Sequence, residues 1–468
     1  MEEKNKLGLI SLIAMCVGSM IGAGLFALPQ NVALTTGPAA LLIAWGVTLV
    51  GMLCLANVFQ TLSNVRPDLD AGVYAYAKAG FGDYLGFCSA WGYWISAWIG
   101  NVGFVMMLCS ALSFFFPIFG DGTNIYSIIL SSALIWSITF LCIKGVKSAA
   151  LVNNIATFAK IIPIIIFIGI VAYAFKKEVF LQDMWHIKDL GSIPNQISKM
   201  MLVTVWTFIG IEGASVFSAR AKNRADVGKA TIIGFLIVFV VLFLVSALPY
   251  GVLTQQKLAT LNNPSTGAIL LNVIGGTGNG IINIGLIISV IGALLAWILM
   301  AAEVPFVACQ KDRLFPKIFG TENSAFAPRG ALIITALCQQ IYIIVASFYH
   351  AGYLMTILLS TSMILIPYLF SAIFAFKTAL KNKSNVVDSK IKHLIIGFIA
   401  VIYGIWLLYA AGIKYLACST ILYFIGSIIF IINKRQRQER IFKAYEWALF
   451  LFCTIISISC LIKISYLS

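Results

Sequence analysis

The chain has 468 residues, of which 60% are hydrophobic and 10% are charged, with a mean hydropathy of +0.97 and a formal net charge of +15. Soluble domains carry about 25% charged residues, so the composition excludes a soluble globular protein and indicates a helical membrane protein. Ten scattered cysteines without a CxxC pair, and three histidines in loops or at span edges, predict neither a disulfide framework nor a metal site.

Thirteen apolar segments are long enough to cross a bilayer, which takes about 20 residues. If the loops alternate from a cytoplasmic N-terminus, most of the lysines and arginines fall in cytoplasmic segments, as the positive-inside rule requires. We therefore expect the positive charge to face anionic lipid rather than nucleic acid. The predicted spans cover residues 9–35, 38–62, 84–116, 125–143, 151–175, 196–219, 231–253, 281–309, 330–349, 353–376, 394–412, 415–433 and 444–462.

The first span is interrupted near its middle by the sequence GSMIGAG, residues 18–24. Each glycine destabilises a helix by about 1 kcal/mol relative to alanine, so this cluster predicts a break. Small residues also allow membrane helices to pack closely, which is an alternative explanation for a single interrupted span.

The third and fifth spans carry polar groups. Asn101 follows Tyr93 by eight residues, about 80° around a helix and about 12 Å along it, so both can line one side of a pore. A lone asparagine also serves as a hydrogen-bond donor between membrane helices. Lys160 is the only basic residue deep in a span; the alternative to a functional role is that its side chain extends to the cytoplasmic edge.

The sixth span contains a second interruption, TFIGIEGAS at residues 207–215, in which two glycines flank Glu212. The two interrupted spans are five helices apart, so two five-helix units enter the membrane from opposite sides. This arrangement is typical of inverted-repeat secondary transporters, whose substrate site lies at the breaks. A half-helix start attracts a carboxylate and a half-helix end attracts an ammonium, which together suit the headgroup of an amino acid.

The eighth span places Trp297 near its centre. Tryptophan usually marks a membrane interface and can simply pack, but a guanidinium over an indole face is favourable by about 0.5–2 kcal/mol. Glu303 lies six residues later, about 9 Å nearer to the cytoplasm. Like Glu212, it is an ionisable group inside a span and indicates a function by default. It either attracts a cationic substrate in an inner vestibule or pairs with a neighbouring basic residue.

Three segments resemble the amino acid–polyamine–organocation superfamily: VGSMIGAGLFALP at 17–29, WTFIGIEGASVFSARAKN at 206–223 and AWILMAAEVPFVACQKDRLFP at 296–316. With its thirteenth span, the chain is most similar to the basic amino acid antiporters, in particular the arginine/ornithine group and its relatives, the arginine/agmatine exchangers. The resemblance implies an all-α polytopic protein with the leucine-transporter fold. It also implies a transport core at 1–376 and peripheral helices at 377–468, with the two repeats at about 9–175 and about 196–376.

The resemblance also implies roles for individual residues. Backbone N–H groups of residues 21–24 would bind the substrate carboxylate. Trp206 and Ile209 would bind the amino end of the substrate, and Trp297 would stack on its cationic head. A lysine at position 160 would replace a bound sodium ion on carbonyls of the broken first helix, and a tyrosine–glutamate cluster would close the outer gate. The sequence departs from the exchangers at Ser19, Ala23 and Glu303. The predicted substrate-binding residues are Ile21, Gly22, Ala23, Gly24, Ser96, Ala97, Asn101, Trp206, Ile209, Trp297 and Ser360, and the predicted gating or coupling residues are Tyr93, Lys160, Glu212, Glu303 and Tyr368.

These features predict a carrier in the cell (inner) membrane that exchanges external arginine for ornithine or agmatine, without a cofactor. A homodimer is left open. The alternative is proton-coupled uptake of a basic or other amino acid, in which Glu212 or Lys160 titrates during the cycle. A channel or a membrane-embedded enzyme is disfavoured, because the sequence contains no metal or nucleophile constellation.

Overall fold

A computed structural model describes residues 8–66, 68–69, 72–145, 149–182, 184–213, 222–348, 352–381 and 387–465. The described part is helical, and no strand occurs within it. In chain order the helices are α1 Leu9–Met20, α2 Gly24–Ala33, α3 Pro38–Val65, α4 Val73–Phe81, α5 Asp83–Leu112, α6 Ile125–Ile143, α7 Ala149–Ala174, α8 Lys177–Leu181, α9 Ile187–Leu190, α10 Ile193–Phe208, α11 Arg224–Ala247, α12 Gln255–Ala259, α13 Ser265–Ile274, α14 Gly276–Asp312, α15 Arg329–Phe348, α16 Tyr353–Lys381, α17 Val387–Gln436 and α18 Ala444–Ser465.

The helices coincide with the predicted spans. Among the described residues, eight helices are long and apolar enough to cross a membrane, and the bent pair α1–α2 makes a ninth candidate. The helix α17 contains a non-helical residue, Gly412, with φ 73° and ψ 162°, which separates the two spans predicted at 394–412 and 415–433. The prediction of an all-helical, multi-pass membrane protein is therefore confirmed.

Both predicted helix breaks occur. The first lies between α1 and α2, whose axes differ by 47°, and Ile21 adopts an extended conformation there. The second follows α10, where Ile209 is extended and Gly210 has φ 107°, a backbone region that side-chain-bearing residues rarely adopt. The rest of the sixth predicted span, from residue 214, lies outside the described residues.

The two breaks touch each other. Ser19 at the end of α1 donates a hydrogen bond from Oγ to the carbonyl oxygen of Gly210, at 2.9 Å. A Cβ on Gly210 would lie 2.9 Å from the carbonyl carbon of Ser19, closer than real Cβ contacts. Glycine at this position therefore permits both the turn and the close approach of the two broken helices.

We call the face at which α1 begins the inner face and the opposite face the outer face. Since consecutive spans alternate in direction, α5 runs from the inner to the outer face, and α14 and α16 run back. The helix α5 packs against both α14 and α16 and is buried along nearly its whole length. Through Phe104 it contacts Trp206 of the second broken helix.

Five short helices were not predicted from the sequence. The helix α4 lies between the second and third spans, α8 and α9 lie between the fifth and sixth, and α12 and α13 lie between the seventh and eighth. The helix α13 contacts α2, and Ser265 at its start accepts a hydrogen bond from the backbone N–H of Gln30 at 3.2 Å. This loop therefore fixes the outer half of the first span.

Candidate functional site

A cavity lies at the junction of the two helix breaks with α5 and α14. It contains about 370 Å³ of space free of atoms. We call it the central cavity. Its described lining residues are Ser19, Met20, Gly22, Gly24, Ser96, Ala97, Gly100, Asn101, Phe104, Trp206, Thr207, Ile209 and Trp297.

Most of the predicted substrate-binding residues meet at this cavity, although they come from four separate parts of the chain. Those that line it are Gly22, Gly24, Ser96, Ala97, Asn101, Trp206, Ile209 and Trp297. Ile21, Ala23 and Ser360 are not in the lining. Ser360 stands directly behind it, because its Oγ donates a hydrogen bond to the carbonyl oxygen of Ser96 at 2.7 Å.

Two glycines of the first break are in close contact with aromatic rings. A Cβ on Gly24 would lie 2.5 Å from Nε1 of Trp206, and one on Gly22 would lie 2.8 Å from Cζ of Phe104. The rings of Phe104 and Trp206 also contact each other, with centroids 5.9 Å apart. Glycine lets these rings close over the start of α2, where the first turn of a helix leaves N–H groups without helical partners.

Two further lining residues, on α14 and α5, offer a different chemistry. Trp297 is 5% exposed and presents an indole to the cavity. Asn101 is 1% exposed, and both polar atoms of its amide have no hydrogen-bond partner among the described residues. A buried amide without a partner is unfavourable by about 1–3 kcal/mol. A ligand that forms hydrogen bonds with the Asn101 amide would therefore be stabilised in the cavity.

Lys160 reaches the first break from α7. Its Nζ donates to the carbonyl oxygens of Gly18 and Ile21, at 2.6 and 2.7 Å, and the side chain is 1% exposed. The ammonium therefore lies among the end carbonyls of α1 and does not extend to the membrane surface. The partial negative charge of a helix C-terminus favours a cation there.

Glu212 lies in the second break and is fully buried. Its Oε2 accepts hydrogen bonds from the hydroxyl of Tyr368 at 2.7 Å and from the N–H of Gly210 at 3.2 Å. Tyr93 belongs to the same cluster, since its hydroxyl lies near the Glu212 carboxyl group, although it makes no hydrogen bond within the described part of the chain. The three predicted gating residues Tyr93, Glu212 and Tyr368 are thus brought together, and we call them the gate cluster.

The position of the gate cluster differs from the outer gate expected from the resemblance. Tyr93 precedes Asn101 by eight residues on α5, which rises from the inner face, a separation of about 12 Å. Tyr368 follows Ser360 by the same interval on α16, which descends towards the inner face. The cluster therefore lies between the central cavity and the inner face, and the outer-gate assignment is wrong for this chain.

Glu303 lies away from both groups. Six residues beyond Trp297 on α14, it is rotated by about 240° around the helix axis, and its side chain is exposed. It is not part of the cavity lining.

Sequence reasoning missed several lining residues, of which Phe104 is the most informative. It follows Asn101 by three residues on α5, which places both on one helix face, and this spacing was the only available signal. The other lining residues that were not predicted are Ser19, Met20, Gly100 and Thr207.

The fold and the site define a class: a multi-pass helical membrane protein in which two broken helices meet at a central cavity. Comparison with known proteins identifies the group within that class. The family model described as amino acid permease matches residues 7–415. The chain belongs to this family, which confirms the resemblance seen in the sequence.

Three relatives are similar over nearly their whole length. The chain is 50% identical over 460 residues to the arginine/ornithine antiporter of Pseudomonas aeruginosa, covering 96% of this chain and 95% of the relative. It is 42% identical over 454 residues to the arginine/agmatine antiporter of Chlamydia caviae, covering 95% and 93%. It is 41% identical over 441 residues to the putative arginine/ornithine antiporter of Escherichia coli strain K12, covering 93% and 94%.

Proposed function

We propose that the chain exchanges arginine for ornithine or agmatine by alternating access. The observation that carries this proposal is the central cavity itself, where two helix breaks, an indole and an unpartnered amide meet. The names of the relatives, which are arginine/ornithine and arginine/agmatine antiporters, support the same substrates.

The headgroup of the amino acid would bind at the two breaks. The N–H groups at the start of α2, near Gly24, suit the carboxylate, and the end carbonyls of α10, near Ile209, suit the ammonium. Both groups would be bound by backbone, which explains why neither needs a charged side chain.

The guanidinium would bind at the far end of the cavity. It would stack on Trp297 and donate hydrogen bonds to the amide oxygen of Asn101. The helix α16 supports this end, because Ser360 bonds to the carbonyl of Ser96.

We further propose that transport is independent of sodium. The Lys160 ammonium, held at 2.6 Å by a carbonyl of α1, would supply the positive charge that a sodium ion supplies in sodium-coupled members of this fold. The gate cluster would close the inner side of the cavity while substrate enters from the outer face.

These proposals extend to the cellular setting. We infer a carrier, not an enzyme, in the cell (inner) membrane with a cytoplasmic N-terminus, in contact with anionic lipid. Residues 1–376 would form the transport core, and the helices of 377–468 would be peripheral and available for a homodimer contact.

Counterflow in liposomes tests the exchange. Uptake of labelled arginine should require internal arginine, ornithine or agmatine, and liposomes loaded with alanine should serve as the matched control. Replacing sodium with choline at constant pH should leave uptake unchanged. Uptake driven by a proton gradient without internal substrate would support the alternative of a proton symporter, and uptake that needs neither would indicate a channel.

A further inference from the structure

A second and larger cavity opens on the outer face. It lies between the outer ends of α2 and α5, the start of α16 and the loops around residues 121 and 263, and contains about 1,180 Å³ of space free of atoms. We call it the outer vestibule. Its atom-free volume is about three times that of the central cavity. The proposed binding of the substrate in the central cavity does not involve it.

The outer vestibule contains two buried acceptor atoms without a partner among the described residues. The side-chain oxygens of Asn31 and Asn263 are buried and have no hydrogen-bond partner within the described part of the chain, and Asn31 as a whole is 1% exposed. The backbone carbonyl of Asn263 accepts a hydrogen bond from the hydroxyl of Ser110 at 2.8 Å. This bond holds the surrounding loop in place, while the side-chain amide oxygen has no partner among the described residues.

The charge of the outer vestibule has one sign. Asp121 contributes a carboxylate, and the described lining contains neither lysine nor arginine. The Oδ1 of Asp121 accepts hydrogen bonds from the N–H and hydroxyl of Thr123, at 3.2 and 2.6 Å, which fixes the direction of the carboxylate. Acceptors and a negative charge without a basic neighbour suit a ligand that carries N–H donors and a positive charge.

The outer vestibule leads to the central cavity through one aromatic layer. Tyr353 lines the vestibule, and its ring lies 3.7 Å from the position of a Cβ on Gly103. Its hydroxyl lies near the side chain of Trp206 but has no hydrogen-bond partner within the described part of the chain. Trp206 in turn lines the central cavity. A molecule in the vestibule is therefore separated from the substrate site by Tyr353 and Trp206.

We propose that the outer vestibule is a second binding site for a cationic amino acid, in which Asp121, Asn31 and Asn263 hold the substrate before it passes the Tyr353–Trp206 layer. This proposal rests on the proposed arginine transport and adds a second site for the same substrate class. The site concentrates external substrate at the entrance, because a charged ligand is attracted to a cleft of opposite sign.

The direct test counts labelled arginine bound per purified full-length chain at saturation. The wild-type chain should bind two molecules, one at each site. Asp121→Asn and Asn31→Leu should each raise the Kd of one of the two bound molecules and leave the Kd of the other unchanged, whereas Trp297→Leu should weaken the other molecule instead. Asp121→Asn changes an exposed residue, so it remains informative if Asn31→Leu does not fold.

Exchange kinetics provide the second readout. Asp121→Asn should raise the KM for external arginine by about twofold to fivefold, the range expected for a partly exposed charge pair, and leave kcat unchanged. Glu178→Gln is the matched control, because Glu178 is an exposed acidic residue of α8 on the same face, outside the vestibule.

Two outcomes would overturn the outer site. One is a wild-type chain that exchanges arginine normally but binds a single molecule, and the other is an Asp121→Asn variant whose KM equals that of Glu178→Gln. If the wild-type chain neither binds nor exchanges arginine, the proposed function fails together with the outer site.

Discussion

At the scale of single residues, the central cavity is suited to a cation although its described lining contains no acidic side chain. The available groups are the quadrupole of the Trp297 ring, the amide oxygen of Asn101 and the carbonyl groups at the end of α10. Each is individually weak, but the site is buried, where electrostatic interactions are stronger than in water. If arginine binds there as proposed, the cavity should release it more readily than a buried ion pair would.

The role of Trp297 can be measured by substitution. Trp297→Leu should weaken arginine binding by about 0.5–2 kcal/mol, or roughly twofold to thirtyfold, because the cation–π interaction is lost. Citrulline, an uncharged analogue of similar shape, should lose much less affinity. Equilibrium binding of both ligands to the purified variant checks this, and Trp297→Phe should fall between the two proteins.

If arginine and citrulline lose affinity equally in Trp297→Leu, the ring contributes packing alone. A variant with wild-type arginine affinity and a normal melting temperature would remove Trp297 from the cationic site altogether.

At the scale of elements, the two broken helices explain the placement of the glycines. Gly24 begins α2 in van der Waals contact with the Trp206 ring, and Gly210 turns the second break against Ser19. These glycines differ from Gly46 and Gly169 in the interiors of α3 and α7, where a Cβ would meet nothing within 4 Å.

We expect Gly24→Ala to reduce exchange by more than about tenfold, because the new Cβ displaces the buried Trp206 ring. Gly46→Ala is the control, since Gly46 lies in the middle of α3 with nothing within 4 Å of its Cβ position. Alanine there should keep full exchange and raise stability by about 0.5–1 kcal/mol. Exchange in liposomes and thermal unfolding, measured on both variants, check the prediction; full activity in Gly24→Ala would contradict it.

The spans and the breaks could be predicted from the sequence because both are local properties. Apolar runs of fixed length give the spans, and the glycines at 18–24 and around Glu212 give the breaks. The face of α5 that lines the cavity could not be predicted in this way, since that helix is buried and apolar on all sides, so hydrophobic periodicity does not single out Phe104. The inner position of the gate cluster was also not predicted. It could have been, because α5 runs from the inner to the outer face and Tyr93 precedes Asn101 on it.

At the scale of the whole molecule, the polar features lie in series along one path. The outer vestibule, the Tyr353–Trp206 layer, the central cavity and the gate cluster follow one another from the outer to the inner face. Alternating access requires a barrier on each side of the substrate site. Among the described residues, the aromatic layer and the gate cluster are in positions to serve as those barriers.

The role of the gate cluster as the inner barrier can be tested by substitution. Glu212→Gln should leave arginine binding measurable, because Glu212 is absent from the cavity lining, but should lower exchange well below wild type. The carboxylate accepts from both Tyr368 and Gly210, and an amide oxygen is a weaker acceptor without charge. The inner barrier would then be less stable, and the pH dependence of exchange should flatten, since the gate cluster loses its carboxyl group.

Tyr368→Phe should lower exchange in the same direction, because it removes the donor to Glu212 at 2.7 Å. Tyr84→Phe is the matched control: Tyr84 is also buried, with its hydroxyl 2.8 Å from Oγ of Ser427, outside the gate cluster. Binding and exchange should be measured on the same purified proteins across a range of pH. Poor folding and lost binding in Glu212→Gln would show that the carboxylate is structural. Exchange at the wild-type rate with an unaltered pH profile would exclude it from the gate, because a barrier that tolerates the loss of its central acceptor does not depend on it.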